Sequence, residues 1–129
     1  MLLTHAHTDH TGFAEHARAT TGARVWIHEQ DVQMARTGKV GPRDGSAAIL
    51  LEDRGILFTG DVLCTHNAYT GRAGPQIMPS GLNADTAQAL ASLANLDGIK
   101  ADVLLPGHGE PWTEGVEEAI RQARAAGPS

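Results

Sequence analysis

The stretch LLTHAHTDHTG, residues 2–12, carries four side chains of the metal-ligand type within six positions, namely His5, His7, Asp9 and His10. In an extended segment His5 and His7 lie on one face, because successive side chains alternate between the two faces. Asp9 and His10 follow where the chain is expected to turn into a helix, so they can face a second ion. We therefore predict that this stretch binds metal.

The composition is that of an ordinary globular chain and excludes several classes of function. The length of 129 residues, of which 41% are hydrophobic, predicts one domain over residues 1–129. The net charge is −5 and no basic run is present, which argues against a nucleic-acid partner. No apolar run approaches the roughly 18 residues of a membrane span, and we expect no membrane partner.

The cellular location follows from the cysteine count and the opening residues. The chain has a single cysteine, Cys64, which cannot form an intrachain disulfide. The residues MLLTHAH lack the basic and long apolar parts of a signal peptide. We therefore expect a cytoplasmic protein.

Strands and helices alternate in the predicted order, which indicates an α/β layered architecture. Helices are predicted over 11–22, 29–37, 84–96 and 114–126, with Thr11 and Thr113 as N-caps. Strands are predicted over 1–4, 24–28, 47–52, 55–59 and 101–106, with a hairpin turn at 53–55. Residues 41–46 are expected to form a turn, and the aperiodic residues 60–83 a long functional loop.

Polar residues follow three of the predicted strands. His5 comes after MLLT, Asp61 after GILFTG and His108 after VLLPG. In layered α/β folds ligands bind at the carboxyl ends of the strands, so we expect these three residues to converge. Zinc takes imidazole nitrogen and carboxylate oxygen at about 2.0–2.2 Å, and Asp61 could bridge two ions. Glycines on both sides of His108 allow close backbone approach.

Each of these residues also has a simpler interpretation. An aspartate after a glycine, as at Asp61, is most often a turn former. Isolated histidines such as His16 and His28 are usually surface or hydrogen-bonded residues. Four ligand-type residues within six positions are harder to explain in this way, and the combination of the three sites favours a metal centre.

These residues also carry a family resemblance. THAHTDH resembles the HxHxDH signature of the metallo-β-lactamase superfamily, GILFTGD resembles its later Gly-Asp motif, and LLPGHGEPW resembles its final Gly-His motif. The resemblance is greatest to glyoxalase-II-like hydrolases, in which an aspartate takes the bridging position. Cys64 lies three residues past that position and is not assigned as a ligand.

The resemblance implies a fold, a ligand set and a chemistry. The fold is an αββα sandwich with a dinuclear metal cleft at the sheet edges. His5 and His7 would bind the first metal, and Asp9, His10 and His108 the second, with Asp61 between them. The metals would be one or two zinc ions, with iron or manganese as alternatives. Water activated by metal, with Asp9 and Asp61 acting through it, would attack an ester, thioester or lactam-like bond of a small-molecule substrate.

Two departures from the family pattern qualify this resemblance. The segment VGPRDGSAAILLEDRG contains no histidine, although the family carries one between the first motif and the Gly-Asp motif. The family also places several strands ahead of the first motif, whereas this sequence starts three residues before THAHTDH. We therefore expect a partial sandwich without the N-terminal sheet and without an internal segment near 37–44. Its exposed apolar face would be covered by a second copy or a partner chain.

Three functions remain open from the sequence. The first is a metal-dependent hydrolase, and the second is a metal-binding, catalytically impaired protein. The third is a mononuclear iron site built from His5, His7 and Asp61, a set of two histidines and one carboxylate. Substrate choice is assigned to residues 62–83, where three residues either line the cleft or only hydrogen-bond within the loop: His66, Asn67 and Tyr69. His66 is also a candidate substitute ligand.

Overall fold

The computed structural model describes residues 1–38 and 46–129. The turn predicted at 41–46 and the segment near 37–44 therefore lie largely outside the described residues. Five α-helices are described: α1 (Thr8–Thr11), α2 (Ala14–Thr21), α3 (Val32–Thr37), α4 (Thr86–Ser92) and α5 (Val116–Ala126). None of these helices is long and apolar enough to cross a bilayer. The expected cytoplasmic location stays a prediction.

The described strands form two small sheets. The strands are β1 (Ile49–Leu51), β2 (Ile56–Gly60), β3 (Cys64–His66), β4 (Ala73–Gln76) and β5 (Val103–Pro106). The first sheet has the order β1-β2-β5, and the second pairs β3 with β4. The described chain combines these helices with two sheets, one of which contains the parallel pair β2 and β5, so the α/β class expected from the sequence is confirmed.

The pairing of β2 with β5 positions the chemistry. The hairpin of β1 and β2 turns through Glu52–Arg54 with Gly55 closing the turn, one residue earlier than the predicted 53–55, and β2 then runs parallel to β5. Because parallel strands end at the same edge, Gly60 lies opposite Pro106. Asp61 directly follows β2, and His108 lies two residues after Pro106, the last residue of β5. The predicted convergence of these two strand ends is therefore observed.

The core lies on one face of the three-stranded sheet. Leu57 and Leu104 are cross-strand partners and both are fully buried. The apolar stripe of α5 packs in the same cluster, with Val116, Ile120 and Ala123 buried as their helical spacing predicts. Each fully buried leucine or isoleucine contributes about 1.5–3 kcal/mol to stability. Packing in this cluster holds β2 and β5 in place, and with them the carboxyl ends that precede Asp61 and His108.

The opposite face of the same sheet is apolar and only partly covered by the described residues. Its six side chains alternate with the core-facing ones along the strands: Ile49, Leu51, Ile56, Phe58, Val103 and Leu105. None of the six is fully buried, and Leu51 and Phe58 are 41% and 37% exposed. The exposed apolar sheet face expected from the sequence is present.

The strands predicted at 1–4 and 24–28 are not formed. These segments meet only at an isolated parallel bridge between Leu2 and Trp26. Three hydrogen bonds hold them: the Leu3 amide donates to the Trp26 carbonyl and the Trp26 amide to the Met1 carbonyl, each at 2.9 Å, and the Met1 amino group donates to the Arg24 carbonyl at 2.7 Å. A strand needs a continuous ladder, and beyond these bonds the described residues give the segment 1–4 one further backbone contact, the Ala47 amide on the Thr4 carbonyl at 2.9 Å, which does not extend into a ladder.

Two of the predicted helix starts are wrong. The helix predicted over 11–22 is split into α1 and α2, and the Thr11 hydroxyl donates to the His7 carbonyl within α1 instead of capping a new helix. Helix α5 starts at Val116, with Gly115 rather than Thr113 in the N-cap position. The backbone at Gly115 has φ of +81°, a conformation that suits glycine.

The aperiodic loop predicted over 60–83 contains a second hairpin. Strands β3 and β4 have three and four residues, and their register is interrupted between Cys64 and His66. Strands this short and irregular carry too few residues to show a two-residue period. Cys64 is buried in β3, where its thiol donates to the Gln76 carbonyl at 3.5 Å, in agreement with its exclusion from the ligand set.

Replacing Gly60 by alanine is expected to destabilise the fold strongly. Gly60 has φ of +50°, and an added Cβ would lie 2.7 Å from the Thr4 Cβ. The left-handed conformation and the overpacking together should lower the free energy of unfolding by about 2–4 kcal/mol. Thermal unfolding of the metal-free protein measures this. Gly81→Ala is the matched control, because a Cβ there meets nothing within 4 Å and it should unfold like the parent. Equal stability of the two variants would contradict the close packing at Gly60.

Candidate metal centre

A single turn of helix folds the first motif back on itself. His7 is the N-cap residue of α1, and its carbonyl accepts hydrogen bonds from the amides of His10 and Thr11, both at 3.0 Å. The turn brings the His10 ring next to the His5 ring, with centroids 4.1 Å apart. The turn expected at Asp9 and His10 is therefore present, and it brings together two rings that are five residues apart in the sequence and were assigned to different ions.

Asp61 lies at the centre of the histidines. Its side chain is almost fully buried, directly after β2 and the left-handed Gly60. The Oδ2 atom is 3.4 Å from the Nε2 atom of His5. The Oδ1 atom is 3.3 Å from Nε2 of His10 and 3.3 Å from Nε2 of His108. The two oxygens of one carboxylate thus face two different sets of imidazoles.

The predicted ligands form two groups, and within each group the donor atoms lie within 4.8 Å of one another. The first group comprises His5, His7 and Asp61, and the second Asp9, His10 and His108. In the second group, Oδ2 of Asp9 is 3.6 Å from Nε2 of both histidines. The groups also differ in accessibility, since His5 is 0% exposed whereas the Asp9 side chain is 56% exposed. The structure therefore brings all six predicted residues together in one centre, which is buried at His5 and exposed to solvent at Asp9.

The loop that carries His108 is held by its backbone. The Gly107 amide donates to the Gly60 carbonyl at 2.8 Å, and the His108 carbonyl accepts from the Thr65 amide at 3.0 Å. A Cβ on Gly107 would lie 2.5 Å from Oδ1 of Asp61 and 2.5 Å from Cε1 of His10. Only glycine allows this approach, so the GHG motif serves the packing of the centre as well as supplying a ligand.

The donor set and its spacing fit a divalent metal ion. Imidazole nitrogen and carboxylate oxygen are the ligands that zinc, iron and manganese share. Two ligands that bind one tetrahedral ion at about 2.0–2.1 Å are about 3.3 Å apart. The nitrogen–oxygen separations around Asp61 and Asp9 are 3.3–3.6 Å. Side chains pre-arranged at this spacing match a metal centre better than a turn-forming role for Asp61.

The first group has three ligands in the part of the chain that the structure describes. No other histidine, cysteine, aspartate or glutamate among residues 1–38 and 46–129 joins it. His66, the predicted substitute ligand, belongs to neither group and lies exposed at the end of β3. The second group has three ligands of its own and also faces Oδ1 of Asp61. The first group therefore has fewer ligands available to a metal ion than the second, as the missing histidine in the sequence predicts.

A cleft of about 410 Å³ opens at the second group. One wall carries the ligands His7, Asp9, Asp61 and His108. The other wall is largely apolar and includes Ala68, Tyr69, Met78, Pro79 and Leu82. Met78, Pro79 and Leu82 lie within the loop 62–83 to which substrate choice was assigned, but they were not among the residues predicted to line the cleft. The apolar IMP run at 77–79 was the available signal for the first two.

The three predicted loop residues differ in what they do. All of them border the cleft. The Asn67 side chain is committed to the loop, because its Oδ1 accepts from the amides of Tyr69 and Thr70 and its Nδ2 donates to the Ser129 hydroxyl. Tyr69 is 74% exposed and His66 is exposed. For Asn67 the geometry therefore favours the simpler interpretation, a loop-holding residue, over direct substrate contact.

A family model described as the Metallo-beta-lactamase superfamily matches residues 34–108. The match includes Asp61 and His108, and it begins after the HxHxDH motif. It covers more than half of the sequence, so the chain belongs to the metallo-β-lactamase superfamily. No curated protein sequence matches the chain.

Solved structures show the same fold. The metallo-β-lactamase FIM-1 from Pseudomonas aeruginosa in its mono-zinc form has a TM-score of 0.67 at 18% identity, covering 97% of this chain and 66% of its own. DIM-1 exposed to ceftazidime gives 0.66 at 16% identity, with coverages of 97% and 67%. An enzyme from Erythrobacter litoralis gives 0.64 at 18%, with 93% and 65%. The chain thus spans about two thirds of the length of these structures, and the likeness concerns the fold.

Removing one of the predicted ligands His10 or Asp61 should lower the metal content and the stability of the protein together. In His10→Ala or Asp61→Ala we expect zinc content below that of the parent chain, because His10 is a member of the second group and Asp61 is a member of the first group that also faces the second. Bound metal stabilises the folded state by mass action, so the zinc-dependent rise in melting temperature should shrink as well. Elemental analysis after dialysis and thermal unfolding with and without zinc measure both effects.

The matched control for these variants is His16→Ala. His16 is an exposed histidine on α2, outside both ligand groups. Its replacement should leave the zinc content and the zinc-dependent shift unchanged. Full zinc occupancy in both ligand variants would show that the ligands have been assigned wrongly.

Proposed function

We propose that this chain is a metal-dependent hydrolase of the glyoxalase-II-like kind, acting on an ester, thioester or lactam-like bond of a small molecule. The observation that carries the proposal is the Asp61 carboxylate, whose two oxygens face two imidazole groups at the wall of a cleft. An aspartate, rather than a cysteine, at the shared position supports the glyoxalase-II-like branch. The proposal takes residues 1–129 as one partial domain.

The protein's own residues have distinct tasks in such a reaction. A bound divalent ion, zinc in one or two copies or alternatively iron or manganese, would lower the pKa of water to about 7 and polarise the scissile carbonyl. Asp61 is buried and fixes the relative positions of the two histidine groups. Asp9 is exposed at the cleft, where its carboxylate can orient the attacking water and accept its proton. No serine or cysteine nucleophile is required.

The cleft suggests which part of a substrate binds where. The reacting carbonyl would lie on the ligand wall near Asp9 and His108. An uncharged acyl chain would then pack on the apolar wall formed by Met78, Pro79 and Leu82. Each methylene transferred from water to such a surface is worth about 0.8 kcal/mol, or roughly fourfold in binding. We therefore expect acyl groups a few carbons longer than acetyl, such as butyryl, to be preferred over acetyl.

A second candidate is metal binding without turnover. The three-ligand first group and the only partly covered sheet face favour it, since both would weaken substrate positioning. In this case a second copy or a partner chain would cover the face that contains Leu51 and Phe58. A mononuclear iron site at His5, His7 and Asp61 is a special form of this candidate, and metal analysis distinguishes it.

Turnover of p-nitrophenyl esters by the zinc-loaded chain tests the hydrolase proposal. We expect hydrolysis that a chelator abolishes, with kcat/KM for the butyrate ester roughly tenfold above that for the acetate. Asp9→Asn should lower kcat by about 100-fold or more, because it removes the proton acceptor. Leu82→Ala should lower the ratio of kcat/KM for the butyrate ester to kcat/KM for the acetate ester, while the acetate ester is still hydrolysed.

The control variant is again His16→Ala, which should hydrolyse both esters like the parent. A thioester and a chromogenic β-lactam extend the substrate series to the other two bond types. Zinc-loaded protein that accelerates none of these substrates beyond free zinc would contradict the hydrolase proposal and favour metal binding without turnover.

A further inference from the structure

Thr4 contacts the two segments that supply the buried end of the metal centre. Its Oγ1 is 3.1 Å from Nδ1 of His5. Its side chain also packs on the backbone of Gly60, where a Cβ would lie 2.7 Å from the Thr4 Cβ and 2.9 Å from Oγ1. The Thr4 carbonyl accepts a hydrogen bond from the Ala47 amide at 2.9 Å. One residue therefore links the first motif, the end of β2 and the segment that leads into β1.

We propose that the Thr4 hydroxyl is a positioning group that keeps the Nε2 atom of His5 directed at the metal centre, whether or not metal is bound. The inference rests on the proposed metal centre and adds Thr4, which directly precedes the HxHxDH signature and has not been assigned as a ligand. Its basis is the hydroxyl's contact with Nδ1 on one side of a buried ring whose Nε2 atom is 3.4 Å from Oδ2 of Asp61 on the other side.

The hydroxyl suits both states because it can donate and accept. Without metal, the Nε2 atom of His5 lies 3.4 Å from Oδ2 of Asp61, and the tautomer with the ring proton on Nε2 places a donor next to that acceptor. The Nδ1 atom is then an acceptor, and the Thr4 hydroxyl donates to it. A carbonyl or a carboxylate in the place of Thr4 could not do this.

With Nε2 bound to a cation, the neutral ring carries its proton on Nδ1, which donates to the Thr4 oxygen. The change takes one proton from Nε2 and adds one to Nδ1 through solvent, so the ring stays neutral. The hydroxyl hydrogen rotates away from Nδ1 toward water, which is available because Thr4 is only partly buried. Partners of this kind orient ligating histidines and raise their basicity, and losing one typically costs 10–100-fold in metal affinity.

Two substitutions separate the hydroxyl from the rest of the side chain. Thr4→Val keeps the branched shape that packs on Gly60 and removes the hydroxyl, whereas Thr4→Ser keeps the hydroxyl and removes the methyl group. Thr20→Val is the matched control, because Thr20 is an exposed helix residue whose hydroxyl bonds only its own helix, at the His16 carbonyl. Thermal unfolding of each metal-free variant establishes that it is folded.

The measurement is the ¹⁵N chemical shift of both His5 ring nitrogens in the full chain, followed while zinc is raised in a chelator buffer. In the parent we expect the proton on Nε2 without zinc and on Nδ1 with zinc. Thr4→Val should need roughly tenfold more free zinc for the same change. Thr4→Ser should stay within about threefold of the parent, and Thr20→Val should match it.

Three results would overturn the inference: equal zinc dependence in Thr4→Val and the parent, an equal loss in Thr4→Ser and Thr4→Val, or a His5 ring that does not respond to zinc. The test is independent of turnover. If Thr4→Val loses affinity while no substrate is hydrolysed, the inference is supported and the hydrolase proposal fails. If esters are hydrolysed while Thr4→Val binds zinc like the parent, the inference fails and the hydrolase proposal stands.

Discussion

The carboxylate of Asp61, placed between two sets of imidazoles, is the constraint on which the rest of the structure depends. Its oxygens lie 3.3–3.4 Å from three histidine nitrogens that come from two segments of the chain, the first motif and the loop after β5. An arrangement of this kind is stable only if each segment is fixed independently. The parallel pairing of β2 and β5 fixes Asp61 and His108, and the single turn of α1 fixes His10.

The close packing around the carboxylate explains why glycines surround it. Gly60 adopts a left-handed conformation against the Thr4 side chain, and Gly107 lies where a Cβ would touch both Asp61 and His10. Gly109 lies equally close to Thr65, whose hydroxyl donates to the Glu110 carbonyl at 2.6 Å. The TGD and PGHG motifs are therefore packing motifs as well as ligand motifs, and their spacing reflects steric limits in addition to metal chemistry.

The candidate site was more predictable from the sequence than the fold around it. His5, Asp61 and His108 each follow an apolar run, and the rule that strand ends meet at one edge brings them together without knowledge of the loops. The hairpin at 53–55 and the stripe of α5 were predictable because turn residues and helical spacing are local signals. The family resemblance then supplied the assignment of ligands to two groups, whose geometry the structure reproduces while the binding of metal stays a prediction.

The features that the sequence did not predict depend on contacts between distant residues. Residues 1–4 and 24–28 have strand-like composition, yet they form a single bridge because a ladder needs a further neighbour. The β3–β4 hairpin is too short to show periodicity, and the Thr4–His5–Gly60 contact joins residues more than 50 positions apart. Thr11 and Thr113 have the chemistry of N-caps, but the helices start elsewhere because backbone geometry at Phe13 and Gly115 decides the first turn.

Anomalous diffraction at the zinc absorption edge, on crystals of the zinc-loaded chain, tests the central claim most directly. The account predicts zinc within bonding distance of an Asp61 carboxylate oxygen, with His10 and His108 or His5 and His7 as its neighbours. Zinc found only at positions away from Asp61, with the two histidine groups unchanged around it, would contradict the account.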